Sequence, residues 1–215
     1  MSNFGAGRLR LVNPYAVAFR QARSAVGATD LLAAADEYET LAEAVADCAL
    51  VVGTTAVRNR TLHHPLHRLG EHASRVIRRQ LQSGRVALLF GSEKIGLTND
   101  DFSHCHWLLN IPTCAGHISM NLGQAVAVCL YALARSGAFE PATGVDRAPA
   151  GESEQIITAL LEALHKSGYV KPGNEALCEQ KVRRLVLRLQ LESIDAKVLL
   201  GMVRQIVWKL HRIAD

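Results

Sequence analysis

Residues 86–133 read VALLFGSEKIGLTNDDFSHCHWLLNIPTCAGHISMNLGQAVAVCLYAL. Val86–Phe90 is a short apolar run of the kind that makes a buried strand, and it breaks into Gly91-Ser92-Glu93-Lys94-Ile95-Gly96-Leu97. Two glycines and a carboxylate therefore sit in a strand-end loop, where open α/β sheets bind ligands. Glycine lets backbone N–H and C=O groups approach a ligand closely, and Glu93 can accept a hydrogen bond or a proton. A second strand, His106–Ile111, ends at Pro112 and is followed by small and polar residues, Thr113–His117. Ser119-Met120-Asn121-Leu122 then leads into a long helix, Asn121–Arg135. Each loop alone has a plain structural reading: the first is a tight turn with a surface Glu, and Ser119 and Asn121 are natural helix caps. Two such loops about 20 residues apart, each after an apolar strand, are expected side by side at one sheet edge.

Upstream, Arg8–Val12 reads as a strand closed by Asn13-Pro14, and Ala16–Val26 as a helix ended by Gly27. Thr40 and Glu43 form a capping-box pair ahead of a helix to about Cys48, Ala49–Gly53 is a buried-type strand, and Leu69–Leu81 a helix. Strands alternating with helices predict an α/β fold with a mostly parallel sheet. Apolar periodicity stops in the Pro- and Gly-rich segment from Gly137 to Glu152, which reads as a linker. The boundaries expected are thus an α/β domain over 1–136, a linker over 137–152 and a helical extension over 153–215. Apolar stripes at Ile156/Leu160/Leu164, Val182/Leu185/Val186/Leu189 and Val198/Met202/Ile206/Leu210 build that extension, as a small helical module or as arms packed on a partner.

The chain has 215 residues, 49% hydrophobic and 20% charged, enough to bury a substantial core and unlike a disordered polymer. No run approaches the roughly 18 apolar residues of a membrane span, and no signal-peptide pattern opens the chain, so a cytoplasmic location is expected. Five scattered cysteines without CxxC spacing predict neither a disulfide framework nor a zinc ribbon. A metal-dependent hydrolase built on His63, His64, His67, His72 and His104-Cys105-His106 is disfavoured by poor ligand spacing, with Pro65 interrupting the His63/His67 pair; no metal is expected. The net charge of +4 is unevenly spread. Arg58–Arg79 carries six arginines against Glu71, and Lys181–Arg212 eight basic residues against Glu192 and Asp195. Each patch exceeds the whole-chain balance, which suits a polyanion such as RNA as well as two solvated helix faces.

Taken together, FGSEKIGL, the Ile111-Pro112 dipeptide and SMNLGQAVAVCLYAL resemble the SpoU/TrmH branch of the SPOUT methyltransferases. GRLRLVNP and VVGTTAVRNR look like that family's early strand and a further cofactor loop, while RRLVLR and LLGMVRQI resemble the C-terminal extension of its TrmJ type. The resemblance implies a deep trefoil knot in the last part of the catalytic domain, followed by a small helical extension. It implies a homodimer paired largely through the Asn121–Arg135 helix. It also implies S-adenosyl-L-methionine as methyl donor, leaving S-adenosyl-L-homocysteine. By position, the cofactor-binding residues would be Thr54, Thr55, Gly91, Glu93, Gly96, Leu97, Ile111, Pro112, Met120, Asn121 and Leu122. The catalytic positions would be Ser119, Asn121 and Glu93.

The implied activity is methylation of an RNA ribose 2′-hydroxyl. The extension points to tRNA, and the TrmJ type to the anticodon loop; other members of the family act on ribosomal RNA. RNA contacts are expected from Arg58, Arg60, Arg183, Arg184 and Arg188. The chain opens directly at Met1-Ser2-Asn3-Phe4-Gly5, so the family's first strand and the arginine thought to activate the hydroxyl are expected to be absent. That expectation keeps a non-catalytic RNA- or cofactor-binding paralogue as the alternative.

Overall fold

The computed structural model describes residues 1–14, 29–57, 62–114, 116–117, 119–135 and 146–214. After a 3₁₀ turn at Ser2–Phe4, the chain runs β1 (Arg10–Val12), α1 (Thr29–Ala33), β2 (Asp36–Tyr38), α2 (Leu41–Val45), β3 (Cys48–Thr55), β4 (Leu66–Arg68), α3 (Glu71–Ser83), β5 (Arg85–Leu89), α4 (Asn99–Ser103), β6 (Trp107–Asn110), α5 (Leu122–Arg135), α6 (Ala150–Lys166), α7 (Glu175–Leu189) and α8 (Ser193–Ala214). The helix expected over Ala16–Val26 lies outside the described residues.

Every strand pairing is parallel, as the alternating pattern predicts: β1 with β2, and a second sheet in the order β4-β6-β3-β5. A parallel sheet is covered on both faces, so its central strand is apolar at successive positions rather than at alternate ones. In β3, Val51 turns to one face with Val45, Phe102, Cys105 and Leu108. Leu50 and Val52 turn to the other, with Ala73, Ile77, Trp107, Leu109 and Cys129. Helices α3 and α5 cover the second face; α2, α4 and the first turn of α6 cover the first. Thr40 caps α2 by the expected reciprocal bonds with Glu43, and Thr98 and Asp101 do the same for α4. Near the start of β1, Arg10 donates to Asp47, which also receives Arg85, tying the small sheet to the large one.

The extension has its own core of Ile156, Ile157, Val182, Val186 and Ala196, yet it is seated on the α/β domain. Gly151 N–H donates to the Ala46 carbonyl at 2.8 Å, and a Cβ at 151 would lie 3.0 Å from that oxygen. The first extension helix thus begins at Ala150, inside the segment read from sequence as linker. Arg183 of α7 forms the deeper joint. It is 5% exposed, pairs with Glu154 and Glu179 at 2.8 Å each, and donates to Ser103 Oγ of α4 at 3.4 Å.

Candidate active site at the carboxyl edge of the sheet

Because β3, β5 and β6 are adjacent and parallel, the loops that follow them emerge at one edge. This is the physical reason that Thr54-Thr55, Gly91–Leu97 and Ile111–Leu122, far apart in sequence, converge. At that edge the strand ends are fastened to each other. Thr54 Oγ1 donates to the Leu89 carbonyl at 2.8 Å, and Asn110 Nδ2 donates to the Thr55 carbonyl at 3.1 Å. Val57 N–H donates to Thr55 Oγ1 at 3.4 Å. Thr54 and Thr55, expected among the cofactor-binding positions, thus both have their hydroxyls engaged within the edge.

The loop after β5 closes on itself. Gly96 N–H donates to the Ser92 carbonyl at 2.8 Å, and Gly96 turns the chain with φ +70°, a left-handed conformation that favours glycine. A Cβ at Gly91 would lie 2.0 Å from the Gly96 carbonyl carbon, so Gly91 is required by the turn itself. A Cβ at Gly96 would meet nothing within 4 Å, and open space lies on that side of the loop. Leu97 is buried in the core and anchors the loop, whereas Ile95 is 61% exposed at its tip.

Two catalytic candidates meet here. Asn121 Nδ2 donates to Glu93 Oε1 at 2.8 Å, joining the loop after β5 to the loop after β6. The same Asn121 caps α5, its Oδ1 accepting from Gly123 N–H at 2.9 Å and Gln124 N–H at 3.3 Å. One end of the Asn121 amide thus serves the helix and the other the carboxylate. Ser119 is exposed two residues earlier on the same loop, Met120 is half-buried, and Pro112 and Leu122 are exposed. The sequence reading missed Asn110, whose amide bridges β6 to β3. It also missed Phe4, whose ring packs edge-on against Tyr131 of α5 at 6.2 Å. An isolated polar residue at a strand end and one aromatic near a terminus carry no periodic signal.

Of the expected RNA contacts, Arg58 and Arg60 lie outside the described residues. Arg184 and Arg188 lie on α7 with at least partial exposure. Arg183 departs from the expectation: its guanidinium is buried and neutralised by Glu154 and Glu179, so it holds the extension in place and has no free face for a phosphate. Alternation along a helix explains this, since Arg183 sits on the buried side with Val182 and Val186. Among the described residues, no group of three or more His, Cys, Asp or Glu could hold a metal ion, and no helix is long and apolar enough to cross a membrane.

The SpoU rRNA Methylase family matches residues 1–131. The chain is 35% identical to the tRNA (cytidine/uridine-2′-O-)-methyltransferase TrmJ of Yersinia pestis (strain Pestoides F), over 96% of this chain and 83% of that protein. The TrmJ of Cronobacter sakazakii is likewise 35% identical, over 96% of this chain and 87% of its own length. In three dimensions, the crystal structure of TrmJ from Z. mobilis ZM4 is similar with a TM-score of 0.83 and 32% identity, covering 96% of this chain and 89% of that one. A probable methylase family protein from Haemophilus influenzae Rd KW20 is similar at 0.56 and 27% identity, over 99% and 89% of the two chains. Motifs, parallel sheet, strand-end loops and these likenesses agree: the chain belongs to the SpoU methylase family.

Proposed function

We propose that the chain is a tRNA 2′-O-methyltransferase that transfers a methyl group from S-adenosylmethionine to a ribose hydroxyl in the anticodon loop. The observation that carries this is the Glu93–Asn121 hydrogen bond, which locks two strand-end loops together at the sheet's ligand-binding edge. The surroundings suit an adenosyl sulfonium. They offer open space beside Gly96, the exposed apolar side chains of Ile95 and Leu122, loop backbone for hydrogen bonding, and one carboxylate. When bound, the cofactor supplies an electrophilic methyl on a positively charged sulfur. The backbone of Gly91–Leu97, Ile111-Pro112 and Met120–Leu122 would hold its adenosyl part. An alcohol is a weak nucleophile at neutral pH and needs a proton acceptor and alignment. Glu93 offers the acceptor oxygen, Asn121 fixes that carboxylate, and Ser119 can orient the ribose.

Two finer readings belong with this proposal. The segment after β6 folds as a deep trefoil knot, supported by the likeness to the Z. mobilis TrmJ structure. The working form is a cytoplasmic homodimer paired through α5. That helix is rich in apolar residues, yet Cys129 alone among them is buried, while Leu122, Val128 and Tyr131 stand exposed in the single chain.

The test is mass spectrometry of tRNA nucleosides from cells with and without the gene. One 2′-O-methyl nucleotide should disappear from the anticodon loop and return when the gene is restored; an unchanged nucleoside profile would overturn the assignment.

A further inference from the structure

A cavity of about 250 Å³ opens at the edge of the sheet opposite the cofactor loops. It is lined by His63, His64 and Pro65 from the approach to β4, by His106 at the start of β6, and by Lys181, Arg184, Leu185 and Arg188 of α7. Positions 181, 184, 185 and 188 share one helical face, so α7 turns a cationic stripe toward the sheet. Among the described residues no carboxylate lines the cavity, and none pairs with Lys181, Arg184 or Arg188. The contrast with Arg183 is sharp, since that neighbour on the same helix is neutralised by two acids.

His106 adds a directed donor. Val51 N–H donates to its Nδ1 at 3.0 Å, which leaves the ring proton of this buried histidine on Nε2. His64 Nε2 is buried without a hydrogen-bond partner, and the positive charge of Arg184 reaches its ring. An imidazole nitrogen without a partner, a fixed N–H and three cations that pair with no acid among the described residues are chemically complementary to an anion.

We propose that this seam between the α/β domain and the extension is a phosphate-binding pocket that seats a backbone phosphate of the RNA. It rests on the RNA reading above but is spatially separate from the methyl-transfer edge. All strands here are parallel, so residues ahead of β4 and β6 lie at one edge and the cofactor loops at the other. The four residues of β6 set roughly 10–13 Å of sheet between them. The pocket therefore grips substrate at a distance from the reacting ribose.

The experiment follows the ring nitrogens of His64 and His106 by NMR of the full chain, titrated separately with tRNA and with inorganic phosphate. It is paired with tRNA affinity as a function of salt for wild type and for the Arg184→Ala/Arg188→Ala double variant. The proposal expects both histidines to shift with tRNA at concentrations far below those needed with phosphate. It expects the double variant, checked as folded by its thermal melt, to bind tRNA about tenfold or more weakly. Its log–log salt slope should be shallower by roughly 1.4–1.8, the contribution of two phosphate contacts. Shifts with phosphate but none with tRNA would mean that the pocket takes a free phosphate and would overturn the backbone assignment. If tRNA binds with histidines and slope unmoved, the pocket is refuted while the RNA reading stands. If tRNA does not bind at all, the RNA reading fails, and the phosphate titration alone judges the pocket.

Discussion

Asn121 divides its amide between two duties: Oδ1 accepts from the first turn of α5, and Nδ2 donates to Glu93 across the gap between two loops. Asn121→Asp separates these duties. Aspartate caps a helix as well as asparagine does, so the thermal melt should move little, within what a stability change of about 0.5 kcal/mol produces. It cannot donate to Glu93, however, and sets two carboxylates against each other. S-adenosylhomocysteine affinity by calorimetry should fall at least about tenfold, equivalent to about 1.4 kcal/mol. Wild-type affinity in this variant would show that the inter-loop bond does not organise the site.

Gly91→Ala should disrupt the loop through its own backbone. The added methyl would meet Gly96 and Leu97 backbone atoms at 2.0–2.4 Å, and backbone cannot swing aside as a side chain can. A loss of about 1–3 kcal/mol in urea denaturation is expected, with weakened cofactor binding. Gly201→Ala is the counterpart, because nothing lies within 4 Å of the new methyl in the middle of α8. It should stabilise by about 0.5–1 kcal/mol.

Arg183→Lys keeps the charge but loses the planar fork that meets Glu154 and Glu179 together. Both carboxylates retain access to water, so the cost should stay near 1–2 kcal/mol rather than that of a fully buried pair. Urea denaturation measures it. The slope of tRNA affinity against salt should not change, since Arg183 has no face left for phosphate.

Burial, with a smaller contribution from Arg147, pushes the His106 imidazole down from 6.5 to about 4. The unfolded chain therefore takes up a proton near pH 6.5 that the folded chain refuses until about pH 4. Stability is full above pH 6.5 and lost as pH falls through that window, by at most about 3 kcal/mol. His106→Asn retains an acceptor for Val51 N–H, cannot titrate, and should make thermal melts less steeply dependent on pH between 6.5 and 4.5. The dependence that remains belongs to His64, pushed down to about 4 by burial and the charge of Arg184, and to His67 and His104, which burial also lowers. The Asp47 carboxyl, held well below its usual range chiefly by its hydrogen bond with Arg10, loses its contribution only at lower pH and does not blur that window.

The parallel sheet and the meeting of distant loops were legible because β3, β5 and β6 are written as unbroken apolar runs, each closed by glycine or polar residues. Strands β2 and β4 were not. Asp36–Tyr38 and Leu66–Arg68 are three residues long and carry charge, and their extended state comes from partners supplied elsewhere in the chain. The site was readable as a set of loops but not in its division of labour. Nothing local says that Thr54 spends its hydroxyl on Leu89, or that Arg183 and Arg184, adjacent in sequence, face a buried ion-pair cluster and an open cavity respectively.

Parallel strands also have a consequence for how such a protein can change over generations. Among the described residues, those that lead into the strands of the larger sheet lie on one rim and those that follow them on the other, and only a few buried apolar residues connect the two. Substitutions at 62–65 and on the cavity-facing side of α7 can therefore accumulate under selection without passing through the rim that holds Glu93 and Asn121. A lineage built on this architecture can retune what it grips while inheriting its chemistry unaltered.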